Sequence, residues 1–200
     1  MRRTAYALVL SAIALTGSAA LADPCDPSPA CYELTPCPPD LYDLNHACYY
    51  TWGISRPWGD MDVAVSACLT FKSIRNWTTE PNVLYVHLLD DAPLGVRSYR
   101  DNQGGGDNFA RQGVLLVQYN NLPATPQTLT YVFTPDQVAA LNACAADGRF
   151  ALAFDPDCHF YNCGVELEVC TAPVPEPSAL AIASLGGVFM VGRRRRFRLK

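Results

Sequence analysis

Basic residues are scarce in the body of this 200-residue sequence. Only seven of its 15 lysines and arginines lie between residues 4 and 192, whereas all 19 acidic residues do, so this middle region has a net charge of −12. A region of that charge repels phosphate backbones, which makes nucleic-acid binding unfavourable. We predict no nucleic-acid partner.

The sequence also lacks the heptads of coiled coils, the glycine period of collagen and the low hydrophobicity of disordered chains. Hydrophobic residues make up 50% of it, which suits one packed domain. It has no Gly-x-Ser-x-Gly elbow and no Cys-His catalytic motif. We predict that the protein is not an enzyme. The alternative is a small secreted hydrolase that acts on glycans and is centred on Asp157 or His159.

The N-terminus has the parts of a secretory signal peptide. Arg2 and Arg3 precede an apolar run over residues 5–15, and small residues up to Ala22 form an A-x-A-type cleavage site. Residues 1–22 are therefore predicted to direct the chain to the secretory translocon and to be removed by signal peptidase. Export places the remainder in an oxidising compartment, where cysteines form disulfides.

The C-terminus has a second composite signal over residues 174–200. It begins with Val174, Pro175, Glu176 and Pro177, continues with an uncharged apolar stretch over residues 179–192, and reaches four arginines: Arg193, Arg194, Arg195 and Arg196. The arginines are expected to stay on the cytoplasmic side of the membrane. The apolar stretch is shorter than the ~20 residues of an upright span, which predicts a short transmembrane segment that anchors the chain transiently in the inner membrane.

This arrangement resembles the PEP-CTERM sorting signal of exopolysaccharide-producing Gram-negative bacteria. In that family an exosortase, a membrane-embedded transpeptidase-like enzyme, recognises the Pro-Glu-Pro motif and removes the tail. The resemblance implies an exosortase substrate that reaches the cell surface or the extracellular matrix, where exopolysaccharide is the expected partner. It covers only the end of the chain and implies processing rather than an activity.

Residues 23–48 are rich in proline and cysteine and show no periodic pattern. We predict an irregular arm whose cysteines pair largely within it, namely Cys25, Cys31, Cys37 and Cys48. The chain has 9 cysteines, an odd number. Cys144 is the predicted unpaired thiol, packed as a small apolar group.

Over residues 49–173, apolar and polar residues alternate, which is typical of strands with one buried face. Such strands need an opposing layer, and we predict an all-β, jelly-roll-like two-sheet sandwich. One short helix is predicted, because Thr134, Pro135 and Gln137 form a capping box with proline at the first helical position, and Gly148 can end it. The predicted core-facing sets are Val63/Val65/Ala67/Leu69/Phe71, Leu84/Val86/Leu88, Leu115/Val117/Tyr119, Leu129/Tyr131/Phe133, Phe150/Leu152/Phe154 and Val165/Leu167/Val169.

The densest group of polar and thiol side chains lies over residues 155–164, and three interpretations are open. In the first, the aspartates cap turn amides and Cys158 bonds to Cys163 across a hairpin loop. In the second, oxygen ligands bind a Ca²⁺ ion that stabilises the fold. In the third, the two thiols and His159 bind zinc, which an oxidising compartment disfavours. The predicted calcium ligands are Asp155, Asp157 and Asn162, with Asp101 and Asp107 from a glycine-rich loop and Asp90 or Asp91 as further candidates.

Trp52, Trp58 and Trp77 lie near turn residues and are candidates for stacking on sugar rings, with core packing as the alternative. The segments at 106–109 and 155–160 and the capped helix are similar to sandwich domains that precede PEP-CTERM tails. Those domains have no settled activity to transfer. The sequence therefore predicts a noncatalytic, calcium-stabilised module that associates with polysaccharide.

Overall fold

The computed structural model describes residues 29–102 and 105–174. The predicted signal peptide, Cys25, and the sorting signal after Val174, including its arginines, lie outside the described residues. No helix within the described ranges has the length and apolarity needed to cross a membrane. The anchor predicted over residues 179–192 also lies outside them.

Ten strands and one α-helix, joined by loops and short 3-10 turns, make up the described chain. Their bounds are β1 Ala30–Leu34, β2 Cys48–Ser55, β3 Asp62–Asn76, β4 Val83–Leu89, β5 Gly95–Arg100, β6 Val114–Asn120, β7 Gln127–Val132, α1 Pro135–Cys144, β8 Arg149–Pro156, β9 Phe160–Tyr161 and β10 Gly164–Pro173.

The strands form two antiparallel sheets. One sheet has the order β1-β10-β3-β7, with β9 added beside β3, and the other has the order β5-β2-β8-β4-β6. Late strands lie between early ones in both sheets: β10 between β1 and β3, and β8 between β2 and β4. This nesting is the double Greek key of a jelly roll, which confirms the predicted fold class.

The core lies between the two sheets, where the alternating apolar faces meet. Phe71 of β3 and Phe154 of β8 have no exposed surface, and their rings meet edge to face with centroids 6.0 Å apart. Leu69 and Leu167 are equally buried. Aromatic edge-to-face contacts of this kind add stability to what apolar burial provides, and here they join one sheet to the other.

Three of the predicted core positions, Val63, Val65 and Leu115, lie outside the core because of β-bulges. Ser66 pairs with Cys170 and Ala64 with Thr171, so Val65 is the extra residue of a bulge, and it is 49% exposed. A similar shift in the β4–β6 pairing buries Leu116 and leaves Leu115 exposed. A bulge moves the following side chains to the other face, which simple alternation does not foresee.

The helix is the one that the sequence predicts. The Thr134 hydroxyl oxygen accepts from the N–H of Gln137, and the N–H of Thr134 donates to the side-chain oxygen of Gln137, which completes the capping box. Leu141 packs in the core with no exposed surface. A short 3-10 turn follows and ends at Gly148, whose φ of 95° is a left-handed conformation that glycine adopts readily.

The arm differs from its prediction in having a strand. β1 pairs with β10 along its length, and Cys31 forms a disulfide with Cys170, directly opposite it. Cys37, Cys48 and Cys144 are free thiols. The described part of the arm is therefore fastened to the sandwich by the sheet and by this disulfide, and its described cysteines Cys37 and Cys48 are free.

Candidate functional site

The described residues 105–109, at the end of the glycine-rich loop, lie against the outer face of β8. Phe109, which follows the glycines, is only 3% exposed, and it packs with Leu89 and Tyr49 against the fully buried Ala151 and Ala153 of β8. β8 is thus buried on both faces. This second small core brings the polar residues of the loop onto the end of β8, where Asp155 lies.

Asp155 and Asp157 accept hydrogen bonds from this loop. The backbone N–H of Asn108 donates to Asp155 at 2.6 Å, and the Asn108 side-chain amide donates to the same carboxylate at 3.1 Å. The N–H of Gly106 approaches Asp157 at 3.4 Å. Gly105 and Gly106 have φ angles of 115° and 105°, a conformation that favours glycine. The sequence analysis proposed that this loop and the two carboxylates act together, and in the structure the loop contacts both Asp155 and Asp157.

A histidine and a further aspartate complete the group. Nε2 of His87, on β4, lies 3.0 Å from the Asp107 carboxylate, and the other oxygen of Asp107 accepts from the N–H of Phe109 at 2.8 Å. His87 is 3% exposed. We call the four carboxylates Asp101, Asp107, Asp155 and Asp157 the acidic loop cluster.

Burial and mutual repulsion raise the pKa values of two carboxylates of this cluster, Asp155 and Asp157. Burial raises the pKa of Asp155 to about 6, and the hydrogen bonds from Asn108 lower it only in part. Burial also raises the pKa of Asp157, and Asp101 and Asp107 add repulsion. The native state therefore holds the Asp155 proton more tightly than the unfolded chain does. Asp155 favours folding below about pH 4, and that contribution is lost as the pH rises through about 6.

The cluster gathers some of the predicted calcium ligands but not Asn162. The Asn162 side chain donates to the Asp40 carbonyl at 2.8 Å and accepts from the N–H of Gly164 at 2.9 Å, so it ties the arm to the start of β10. Asp157 Oδ1 is buried and receives no hydrogen bond from a described residue. This oxygen is the one that a cation would satisfy.

A preformed ligand set of three is found elsewhere in the described chain. Cys31, Glu168 and Cys170 bring their ligand atoms within 4.8 Å of one another, and the acidic loop cluster does not reach that spacing. Two of those three atoms are the bonded sulfurs of the disulfide. Their bond removes them as thiolate ligands.

The predicted bond between Cys158 and Cys163 is not formed. Cys158 is a buried free thiol and Cys163 an exposed one. The segment is not a tight hairpin, because the N–H of Asp157 donates to Val83 of one sheet and that of Cys163 to Lys72 of the other. The segment therefore crosses from sheet to sheet, with β9 between the two cysteines.

β9 builds an outward-facing group of side chains with the end of β3. Arg75 is paired with Tyr161, and the N–H of Trp77 donates to the carbonyl of His159 at 3.0 Å. Asn76 and Phe160, which alternate with these residues, are buried. The four side chains Arg75, Trp77, His159 and Tyr161 therefore share the outer face, and we call them the aromatic patch.

The members of the aromatic patch contact one another in a row. The ring centroids of Trp77 and His159 are 6.3 Å apart, and those of His159 and Tyr161 are 4.7 Å apart. The guanidinium carbon of Arg75 lies 5.2 Å from the centre of the Tyr161 ring. Trp77 is 55% exposed and Tyr161 is 37% exposed. Trp77 and Tyr161 are therefore the exposed rings of the row, and the ring planes of neighbouring members are tilted by 41° and 52°.

The other two candidate tryptophans do not belong to this surface. Trp52 and Trp58 are 5% and 4% exposed, because both lie in the core. Sequence analysis missed Arg75 and Tyr161. The alternation in Arg-Asn-Trp at 75–77 and His-Phe-Tyr at 159–161 is the signal that points to them, once the two segments are known to pair.

The sorting motif begins where the sandwich ends. Val174 follows β10, its N–H donates to the Met61 carbonyl at 2.8 Å, and its side chain is 42% exposed. All described strands end at or before Pro173. A cut within the motif would therefore leave the described sheets whole.

The fold and its tail define an exported β-sandwich protein. The family model for the PEP-CTERM protein-sorting motif matches residues 173–196. The chain thus carries the signal of surface proteins that are exported and processed by an exosortase in Gram-negative bacteria. No curated protein matches the chain.

Solved structures resemble the sandwich only remotely. A latent aurone synthase (polyphenol oxidase) from natural source is 10% identical, with a TM-score of 0.40, over 68% of this chain and 26% of that one. A recombinantly expressed latent aurone synthase (polyphenol oxidase) is 11% identical, with a TM-score of 0.41, over 66% of this chain and 25% of that one. The chain spans about a quarter of the length of these proteins.

Proposed function

We propose that the exported sandwich is a noncatalytic module that binds polysaccharide at the cell surface through the aromatic patch. The observation that carries this proposal is the exposure of Trp77, at 55%, in a row with His159 and Tyr161. Large aromatic side chains are normally buried, and an exposed group of them marks a binding surface. Flat aromatic faces suit the apolar faces of sugar rings.

The polar groups elsewhere support binding rather than hydrolysis. Among the described residues, no hydroxyl or thiol forms a hydrogen bond with a histidine ring, which is the arrangement that activates a serine or cysteine nucleophile. The one hydrogen-bonded histidine side chain in that range, His87, is almost fully buried and faces Asp107. Asp155 and Asp157 receive backbone amides of the covering loop, which is a structural use of a carboxylate.

Calcium belongs to the same proposal as a stabilising ion. The buried, unpartnered Oδ1 of Asp157 and the repulsion from Asp101 and Asp107 favour a cation at the acidic loop cluster. Because the carboxylates are not gathered at ligand spacing, an ion must draw the loop towards β8. Its role is to hold the loop that covers β8, at a place that shares no side chain with the aromatic patch.

Replacing Trp77 with alanine is expected to weaken binding to polysaccharide about tenfold or more, because central aromatic contacts dominate the energy of such interfaces. Binding of the exported protein to a panel of neutral and acidic bacterial polysaccharides measures this. Met61→Ala is the matched control, since Met61 is 70% exposed and lies in the loop before β3. The control should bind as the wild type does.

Two outcomes would contradict the proposal. Equal binding by wild type and Trp77→Ala would show that the aromatic patch is not the binding surface. Shortening of the bound polymer during the assay, abolished by Asp157→Asn or His159→Gln, would favour the glycan hydrolase instead.

A further inference from the structure

We infer that the aromatic patch prefers acidic sugars, such as uronates, and that Arg75 supplies the preference. This inference rests on the proposed function and adds a substrate class to it. A ring that stacks on Trp77 or Tyr161 would present its carboxylate to the guanidinium at the edge of the same row.

The guanidinium of Arg75 is held in place but lacks an acceptor. It lies 5.2 Å from the centre of the Tyr161 ring, in the geometry of a cation–π contact. None of the described residues forms an ion pair with it or accepts a hydrogen bond from it. Its donors are therefore open to a ligand, and an arginine fork matches a carboxylate in two parallel hydrogen bonds.

Neighbouring charges leave this site cationic. Lys72, earlier on β3, is bonded to Glu166 at 2.6 Å, so that pair is neutral as a unit. The body as a whole is strongly acidic, and Arg75 is one of only seven basic residues between residues 4 and 192. The attraction is thus local, and it acts on a ligand already seated on the rings.

The pairing of an exposed ring, Trp77, with a free guanidinium, Arg75, favours one kind of acidic ligand. A carboxylate carried on a sugar ring brings an apolar ring face for Trp77 and a charge for Arg75, a few ångströms apart. A free anion offers only the charge, and a neutral glucan offers only the ring face. The combination in one residue is a property of acidic polysaccharides.

Polygalacturonate and its fully methyl-esterified form are the matched probes, because they differ only in the carboxylate charge. We expect the full chain, purified in mild detergent, to bind polygalacturonate about three- to tenfold more tightly than the ester, as a charge-assisted hydrogen bond implies. Arg75→Gln should bring the two affinities together, because it should weaken binding of polygalacturonate more than binding of the ester. Arg75→Lys should keep part of the preference, and 0.5 M salt should reduce it.

The outcomes separate the two claims. An unchanged preference in Arg75→Gln, together with weaker binding of both polymers by Trp77→Ala, overturns the role of Arg75 and leaves the proposed function standing. Unchanged binding of both polymers by Trp77→Ala overturns the proposed function. Failure of the wild type to bind either polymer overturns the preference for uronates, and the wider polysaccharide panel then decides the proposed function. Circular dichroism melts of each variant show whether it is folded.

Discussion

A variant in which both Cys31 and Cys170 are serine is expected to lose about 3–5 kcal/mol of unfolding free energy. The disulfide joins residues 139 positions apart, so it removes much of the freedom of the unfolded chain. It also fastens β1, which lies at the edge of its sheet, to its neighbour β10. The melting temperature of the exported protein should fall by about 10 °C, as thermal melts with and without reductant would show.

Cys144→Ala is the control for this experiment, because Cys144 is a half-buried free thiol. It should cost no more than about 1 kcal/mol, which is typical of a small change at a partly buried position. Thiol labelling of the native protein should modify the exposed Cys37 and Cys163 rapidly and leave Cys31 unmodified. If the double serine variant has the same melting temperature as the wild type, or if Cys31 is labelled, this disulfide does not hold the arm.

Calcium is expected to raise the melting temperature by several degrees, through the acidic loop cluster. At about a hundred times its dissociation constant, a bound ion adds ~2.7 kcal/mol to stability. The reason is that a divalent cation offsets the repulsion among carboxylates and satisfies Asp157 Oδ1. Melts of the exported protein at pH 7 in calcium, in magnesium and in chelator measure the effect.

Asp157→Ala should remove the calcium response, whereas Asp90→Ala should keep it. Asp90 is an exposed aspartate directly after β4 and lies outside the cluster. Asp90→Ala therefore removes the same charge as Asp157→Ala but leaves the cluster intact. Identical melting temperatures in calcium and chelator would leave the carboxylates with their hydrogen-bonding role alone. An equal response from both variants would place the ion elsewhere.

The fold was predictable from sequence because its signals are local. Alternation of apolar and polar residues indicates strands such as β8 and β10. The capping box indicates the start of the helix through two side chains, Thr134 and Gln137, that are close in sequence. The bulges at Val65 and Leu116 were not predictable, because a bulge depends on the partner strand and leaves the sequence pattern of one strand unchanged.

The candidate site was predictable only in part, because it depends on contacts between distant segments. Asp155 and Asp157 stood out by their density in one loop. Nothing near Cys31 in the sequence indicates Cys170 as its partner, and nothing near Trp77 indicates Tyr161. Trp52 and Trp77 look alike in sequence, yet the first lies in the core and the second on the surface, because register decides which face each one occupies.

The central claim is that this sandwich is exported and then trimmed, so that the described sheets remain at the cell surface. The intact mass of the surface-located protein, measured from a Gram-negative host that has the exosortase, tests this claim most directly. We predict a chain that begins at or near Asp23 and lacks everything from Ser178 onward. A stable surface species that still carries Arg193 to Arg196 would contradict the claim.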